Sequence, residues 1–386
     1  MAVSFNATDG RLFCYCETEM DNNKQNSEKT REILINHIKT YPKAQAEDIF
    51  KFIFQSSFGC EHLVADEKSV LEYIDREYVS VDKEASPLTE QLDGDYSRVY
   101  LSHLNCGLRS ETLARLFCLS AKKESFGKAR LEEKLKVACE LVADSTLPLD
   151  KEIFNEKLIT WESKGHPALH HSDEYRKAYR PSYRVISDKY VELLEIFAVI
   201  DRLSVKDDLI IAIEGGSASG KTTLTGILQE LYDCNVFHMD DFFLRPEQRT
   251  AERFAEIGGN VDRERFAEEV LSSVKNGETV RYRPFDCSVQ TLGEEVTVQP
   301  KKLTIIEGVY STHPAFSRYY DYMIFLDIDP ELQKQRILVR NSPQLAKRFF
   351  DEWIPLENTY FSGTDIKARA DMIKKVKACK DANDDR

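Results

Sequence analysis

The sequence predicts an α/β protein: a C-terminal domain with a parallel sheet flanked by helices, preceded by a mainly α-helical N-terminal domain. Three observations predict it. After Asp208, short β-rich apolar runs alternate with helical stretches, which is the pattern of βαβ units. From about Thr30 to Leu203, apolar residues recur at three- and four-residue spacing, the mark of amphipathic helices. Between the run LIIAIE and the run TTLTGILQEL stands a glycine-rich string, Gly215–Thr222.

A chain of 386 residues exceeds the usual single-domain size, so two domains are expected. Residues 1–29 are polar, weakly patterned and read as a loose arm. Residues 30–204 carry the helical patterns REILINHIKTYP, AEDIFKFIFQSSF, SVLEYIDREY, SETLARLFCLSAKK and LEEKLKVACELVA, with little strand-like alternation. Residues 205–386 form the α/β part, and the break falls at the charged joint SVKDD. The net charge is −13, which repels nucleic-acid phosphates and disfavours such a partner. No run approaches the roughly 18 apolar residues a membrane span requires, and the N-terminus lacks the charged start and apolar core of a secretory signal. The 9 cysteines, an odd number, read as reduced thiols, and the cytoplasm is the expected compartment.

The string Gly215, Gly216, Ser217, Ala218, Ser219, Gly220, Lys221, Thr222 has the G-x-x-x-x-G-K-[ST] spacing. Gly215 and Gly220 permit a tight turn around an anion with backbone N–H groups pointing inward. The following helix, entered through Thr222 and Thr223, adds its positive end. Lys221 is placed for the terminal phosphates of ATP and the Thr222 hydroxyl for Mg²⁺. A chance glycine turn is the bland alternative, and the strand-before, helix-after context argues against it.

Phosphoryl transfer needs a carboxylate at the acceptor hydroxyl and acidic residues near the metal. The run NVFHM ends in Asp240-Asp241-Phe242-Phe243, and LTIIEG places Glu307 at a strand end. Strand C-termini form the ligand crevice of a parallel α/β sheet, so both carboxylates are expected beside the phosphates. A turn-capping Asp240 and a buried structural Glu307 are the alternatives.

The order of P-loop, VFHMDDFF, YRPFDC, TIIEGVYS and an Arg-containing helix and lid resembles the uridine kinase and phosphoribulokinase superfamily over about residues 207–375. The VFHMDDFFLRPE segment is especially similar to nicotinamide riboside kinases. The resemblance implies a P-loop kinase domain using ATP and Mg²⁺, with Asp240 as catalytic base and Glu307 supporting metal and acceptor. Asp262, in GGNVDRERF, resembles the family's helix start after the acceptor loop. Where nucleoside-phosphorylating members carry Tyr-Asp-Phe followed by His and Arg, this chain has Tyr282, Arg283, Phe285 and Asp286, followed by Gln290 and Leu292. Tyr282, Arg283 and Asp286 are the candidate acceptor contacts, and Asp286 is equally a turn residue. In the lid, Arg336, Arg340, Lys347 and Arg348 are available to neutralise phosphate charge, with Arg340 and Arg348 the candidates for ATP. A solvated helix face is the alternative for them.

The first half shows weaker signals. Cys60, His62, His103 and Cys106 could supply a zinc site, although buried cysteines with capping histidines are the commoner outcome. His166, His170 and His171 lie in a stretch where Tyr175, Tyr179 and Tyr183, and Arg176, Arg180 and Arg184, repeat at four-residue spacing, which on a helix would make neighbouring stripes, although Pro181 interrupts such a helix after one or two turns. These could bind an anion or dock on the kinase half, with aromatic packing and snorkelling arginines as the alternative. Ligand sensing, completion of the acceptor pocket and homodimer formation are the options for this half.

Together these point to transfer of the γ-phosphate of ATP to a hydroxyl of a small metabolite, a nucleoside or related alcohol by resemblance. A nucleotide-gated switch controlling the helical half is the alternative. It has no need of an acceptor-side base at Asp240.

Overall fold

A computed structural model describes residues 26–60, 66–81, 87–121 and 127–378. The chain divides into two compact units between Arg202 and Leu203. The proposed arm lies outside the described residues up to 25, whereas residues 26–29 already belong to a helix over 26–40.

The N-terminal unit is built on helices at Ala46–Phe58, Glu67–Tyr78, Ser110–Ser120, Gly127–Ala143, Lys151–Ser163 and Leu194–Leu203, among others. Ala46–Phe58 starts on a reciprocal cap between Gln45 and Asp48 and buries Ile49, Phe50, Phe52 and Ile53. The unit also holds a three-stranded antiparallel sheet of Thr89–Gln91, Tyr96–Tyr100 and Tyr183–Ser187. The sequence does not announce it because Tyr96–Tyr100 is covered on both faces, so its buried residues do not alternate. The tyrosine–arginine repeat is correspondingly split. Tyr175 and Tyr179 lie on the helix Asp173–Tyr179, Arg180 turns the chain at φ 45°, and Tyr183 and Arg184 lie on a strand.

The C-terminal unit holds a five-stranded parallel sheet of β1 (Leu209–Gly215), β2 (Cys234–His238), β3 (Leu303–Glu307), β4 (Tyr322–Ile328) and β5 (Met372–Val376), in the order β2-β3-β1-β4-β5. Every residue of β1 and β3 is buried, as central strands of an α/β sheet require. Helix α1 (Lys221–Leu231) follows β1 and buries Leu224, Leu228 and Leu231, each contributing about 1.5–3 kcal/mol by leaving water. After β4 come α2 (Pro330–Arg340), α3 (Pro343–Arg348) and α4 (Ile354–Gly363). The Asp329 carboxylate and Ser342 hydroxyl cap α2 and α3, each followed by proline. That is a favoured helix start, because proline lacks the N–H that would otherwise be left unpaired. No helix of the described residues is long and apolar enough to cross a membrane.

Candidate active site

Strand pairing brings the site together. Glu307 is in register with Ile213 of β1 on one side and His238 of β2 on the other. The carboxyl ends of three adjacent strands therefore open at one place, where Gly215–Thr222, Asp240 and Glu307 converge. Gly215 adopts φ +152°, and an added Cβ would sit 2.7 Å from the Leu326 carbonyl. Gly220 adopts φ +95° at the head of α1. Both positions thus exclude side chains.

The loop tip is held from outside. Gln333 Nε2 donates to the Ser217 carbonyl at 2.9 Å and Arg336 Nη1 to the Ala218 carbonyl at 3.1 Å. Glu357 of α4 accepts from the Ser217 N–H at 2.9 Å and from the Ser217 hydroxyl. Burial raises the Glu357 carboxyl above its ordinary range, against these hydrogen bonds and the Lys221 charge. Below the loop, Glu214 is fully buried and accepts from the Gly215 N–H (3.0 Å), the Thr312 N–H and hydroxyl (both 3.1 Å) and the Tyr360 hydroxyl (3.2 Å). Desolvation lifts its pKa to about 7 despite those donors. Inside the cradle, the Lys221 ammonium is folded back onto the Gly215 and Gly216 carbonyls at 2.8 and 3.1 Å.

Glu307 Oε1 accepts from the Thr222 hydroxyl at 3.3 Å and lies 2.6 Å from His238 Nδ1. The hydrogen bond to Glu307 raises the His238 pKa. Thr222 and Glu307 thus present hard oxygen donors side by side at the end of β3, a donor set suited to Mg²⁺. Among the described residues there is no cluster of three or more His, Cys, Asp or Glu side chains that could hold a metal by itself.

Asp240 follows β2 in a single 3₁₀ turn, Met239–Phe242. Asp240 is an exposed residue. Desolvation raises its pKa, with Lys221 opposing and Glu307 reinforcing the shift, so the three groups share one electrostatic environment. Asp241 is held instead: it accepts from the Tyr282 hydroxyl at 3.1 Å, while Arg265 Nη2 donates to its carbonyl at 3.0 Å. Tyr282 is therefore engaged with Asp241, and burial raises its phenol.

The other acceptor-side candidates serve the hairpin. Arg283 Nε donates to the Gly293 carbonyl at 2.7 Å. Asp286 accepts from the Ser288 N–H (2.8 Å) and hydroxyl (2.6 Å) as an exposed turn residue. After desolvation, the Asp240 charge is the next influence that raises the neighbouring Cys287 thiol, which places this hairpin beside Asp240. Asp262 caps the helix Arg263–Phe266. In the lid, Arg340 is exposed, and Arg348 pairs with Glu352 at 3.3 Å and lies 4.9 Å from the Trp353 ring centre. Lys347 pairs with Asp351. Arg336 is the lid cation that touches the loop.

In the N-terminal unit, the zinc candidate His62 lies outside the described residues, and Cys60 is a buried thiol 3.5 Å from the Phe117 carbonyl. His171 is buried against Asp48 and Tyr183, and Tyr175 packs against Tyr41 and Tyr179.

Four residues at the site were not anticipated from sequence: His238, Glu214, Gln333 and Glu357. His238 was detectable in principle, since it ends the strand just before Asp240. Glu357 was not, because its partner lies 140 positions away and its surroundings read as a solvated charged helix.

Residues 210–345 match the model of the Phosphoribulokinase / Uridine kinase family. A uridine kinase of Macrococcus caseolyticus is 30% identical over 181 residues, covering 42% of this chain and 86% of that protein. One from Staphylococcus haemolyticus is 28% identical over the same coverage. A solved structure of a possible uridine kinase from Bacillus stearothermophilus aligns over 43% of this chain and 87% of its own, at 22% identity and a TM-score of 0.34. Through its C-terminal unit, the chain belongs to the phosphoribulokinase / uridine kinase family.

Proposed function

We propose that this chain is an ATP-dependent small-molecule kinase that transfers the γ-phosphate to a hydroxyl of a metabolite, with a nucleoside or related alcohol as acceptor. The observation that carries this reading is the convergence of Asp240 and Glu307 on the Lys221 end of the phosphate loop. A triphosphate in the loop draws the Lys221 ammonium from the two loop carbonyls to its terminal oxygens, where it balances charge that grows during transfer. The Asp240 carboxylate receives the proton of the acceptor hydroxyl. That oxygen bonds to the γ-phosphorus while the β–γ bridging oxygen leaves with ADP. Thr222 and Glu307 would hold Mg²⁺, which would supply positive charge against the phosphate. His238 fixes the Glu307 carboxylate in place, and Glu357 keeps Ser217 anchored so that the inner N–H groups stay aimed at phosphate.

Glu357→Ala should weaken ATP binding roughly 10- to 100-fold, since a hydrogen bond to a charged group contributes about 1.5–3 kcal/mol. Equilibrium titration of ATP measures this, and unchanged affinity would mean the loop holds its shape unaided. The function is tested by screening purified protein with ATP against a library of hydroxylated metabolites and identifying the product by mass. The expected result is acceptor-dependent ADP release with one phosphorylated alcohol. ADP release at the same rate with and without every acceptor would contradict the proposal.

A further inference from the structure

The N-terminal unit buries a polar layer that this chemistry does not use. Arg98 is 0% exposed. Its Nε and Nη2 donate to Gln55 Oε1 at 3.0 and 2.8 Å, its Nη1 pairs with Glu90 at 3.1 Å, and its guanidinium lies 4.6 Å from the Tyr183 ring centre. His171 joins Asp48 at 2.7 Å to the Tyr183 hydroxyl at 2.6 Å. A buried ion pair is weak evidence for stability, because apolar side chains of similar volume serve as well. Interacting titratable groups of this kind concentrate at functional sites.

Lys51 stands at the edge of this layer. Asp48, Lys51 and Gln55 are spaced three and four residues apart on the helix Ala46–Phe58 and so share one face. Among the described residues of this unit, every other Lys or Arg withdrawn from solvent has a carboxylate partner. Arg98 has Glu90, Lys134 has Asp93, Arg184 has Glu77 and Lys157 has Glu47. Among the described residues, the half-buried Lys51 ammonium donates only to the Leu169 carbonyl, at 2.7 Å, although it carries three donors. Asp48 cannot serve it well, because its oxygens are engaged by His171, Ser172 and the Gln45 N–H. Glu47, one turn away, pairs with Lys157 through Oε1, and its Oε2 is buried without a hydrogen bond to Lys51. Burial lowers the Lys51 pKa to about 8, with the Arg98 charge pushing the same way and Asp48 opposing. A desolvated cation without a counter-charge is costly, and a bound anion would remove that cost.

We propose that Lys51, backed by the Arg98–Tyr183–His171 layer, forms a binding site in the N-terminal unit for a small organic anion. Phosphate or carboxylate oxygens of the ligand supply the counter-charge that the protein provides to its other buried cations. Lys51 and the nucleotide loop belong to different units of the chain, and the assignment is independent of the kinase reading.

The test is competitive acetylation of the intact full-length chain at pH 8, read residue by residue by mass spectrometry, with inorganic phosphate or malonate as the probe. Either anion is expected to slow modification of Lys51 about tenfold at ten times its dissociation constant, while Lys128, an exposed lysine, is unaffected. Slowing by phosphate alone assigns a phosphoryl ligand, by malonate alone a carboxylate, and by both a general oxyanion site. If neither anion slows Lys51, or if Lys128 slows equally, the proposal is overturned.

Discussion

Asp240→Asn is expected to leave ATP affinity within about twofold while lowering phosphoryl transfer roughly 10²- to 10⁴-fold, the range assigned to a positioned general base. The substitution keeps the side chain's shape and removes its ability to take a proton. In the proposed reading the Asp240 carboxylate serves the acceptor, whereas phosphate is held by the Gly215–Thr222 loop, whose carbonyls engage Lys221 and Arg336. Binding and transfer should therefore separate. Desolvation and the Glu307 charge raise the Asp240 pKa, so the active, ionised form is lost as pH falls through a value above the ordinary aspartate range. The acid limb of the kcat profile should lie correspondingly high. Equal loss of affinity and transfer would make Asp240 a structural turn residue.

Lys221→Ala has a different signature. Lys221 is 9% exposed and its ammonium is already satisfied by two loop carbonyls, so the fold gains little from its charge. In the proposed mechanism the charge is needed when phosphate oxygens become more negative in the transition state. Removing one such donor costs on the order of 10³-fold in turnover, and the loss of a charge-assisted contact should also weaken ATP binding. Steady-state kinetics with nucleotide titration separates the two effects. Turnover within tenfold of the parent would refute the placement of Lys221 at the γ-phosphate.

What was legible in the sequence follows from how local each signal is. Gly215 and Gly220 show at fixed spacing because backbone conformation there admits little else, and the strand-to-helix change around them is a short-range pattern. The strand ends at Asp240 and Glu307 were legible for the same reason. Their lateral order in the sheet was not, because pairing of β3 between β1 and β2 joins segments far apart in the chain. The Tyr96–Tyr100 strand escaped because its buried neighbours on both faces erase alternation. From sequence Asp286 reads equally as acceptor contact and turn residue, and its bonds to Ser288, two residues on, favour the turn. From sequence Arg348 reads as ATP contact or solvated helix face, and its partner Glu352 lies four residues on. Glu357 and Lys51 gain their meaning only from tertiary neighbours.

The most direct measurement is a crystal structure of the protein with Mg²⁺ and a non-hydrolysable ATP analogue. The account predicts the triphosphate in the Gly215–Thr222 cradle, with Lys221 turned to the γ-phosphate. Glu307 and Thr222 should lie on its metal side, and the Asp240 carboxylate should face the open side where a hydroxyl would enter. A triphosphate bound there with Asp240 turned toward the sheet interior, or with Glu307 remote from the β- and γ-oxygens, would contradict it.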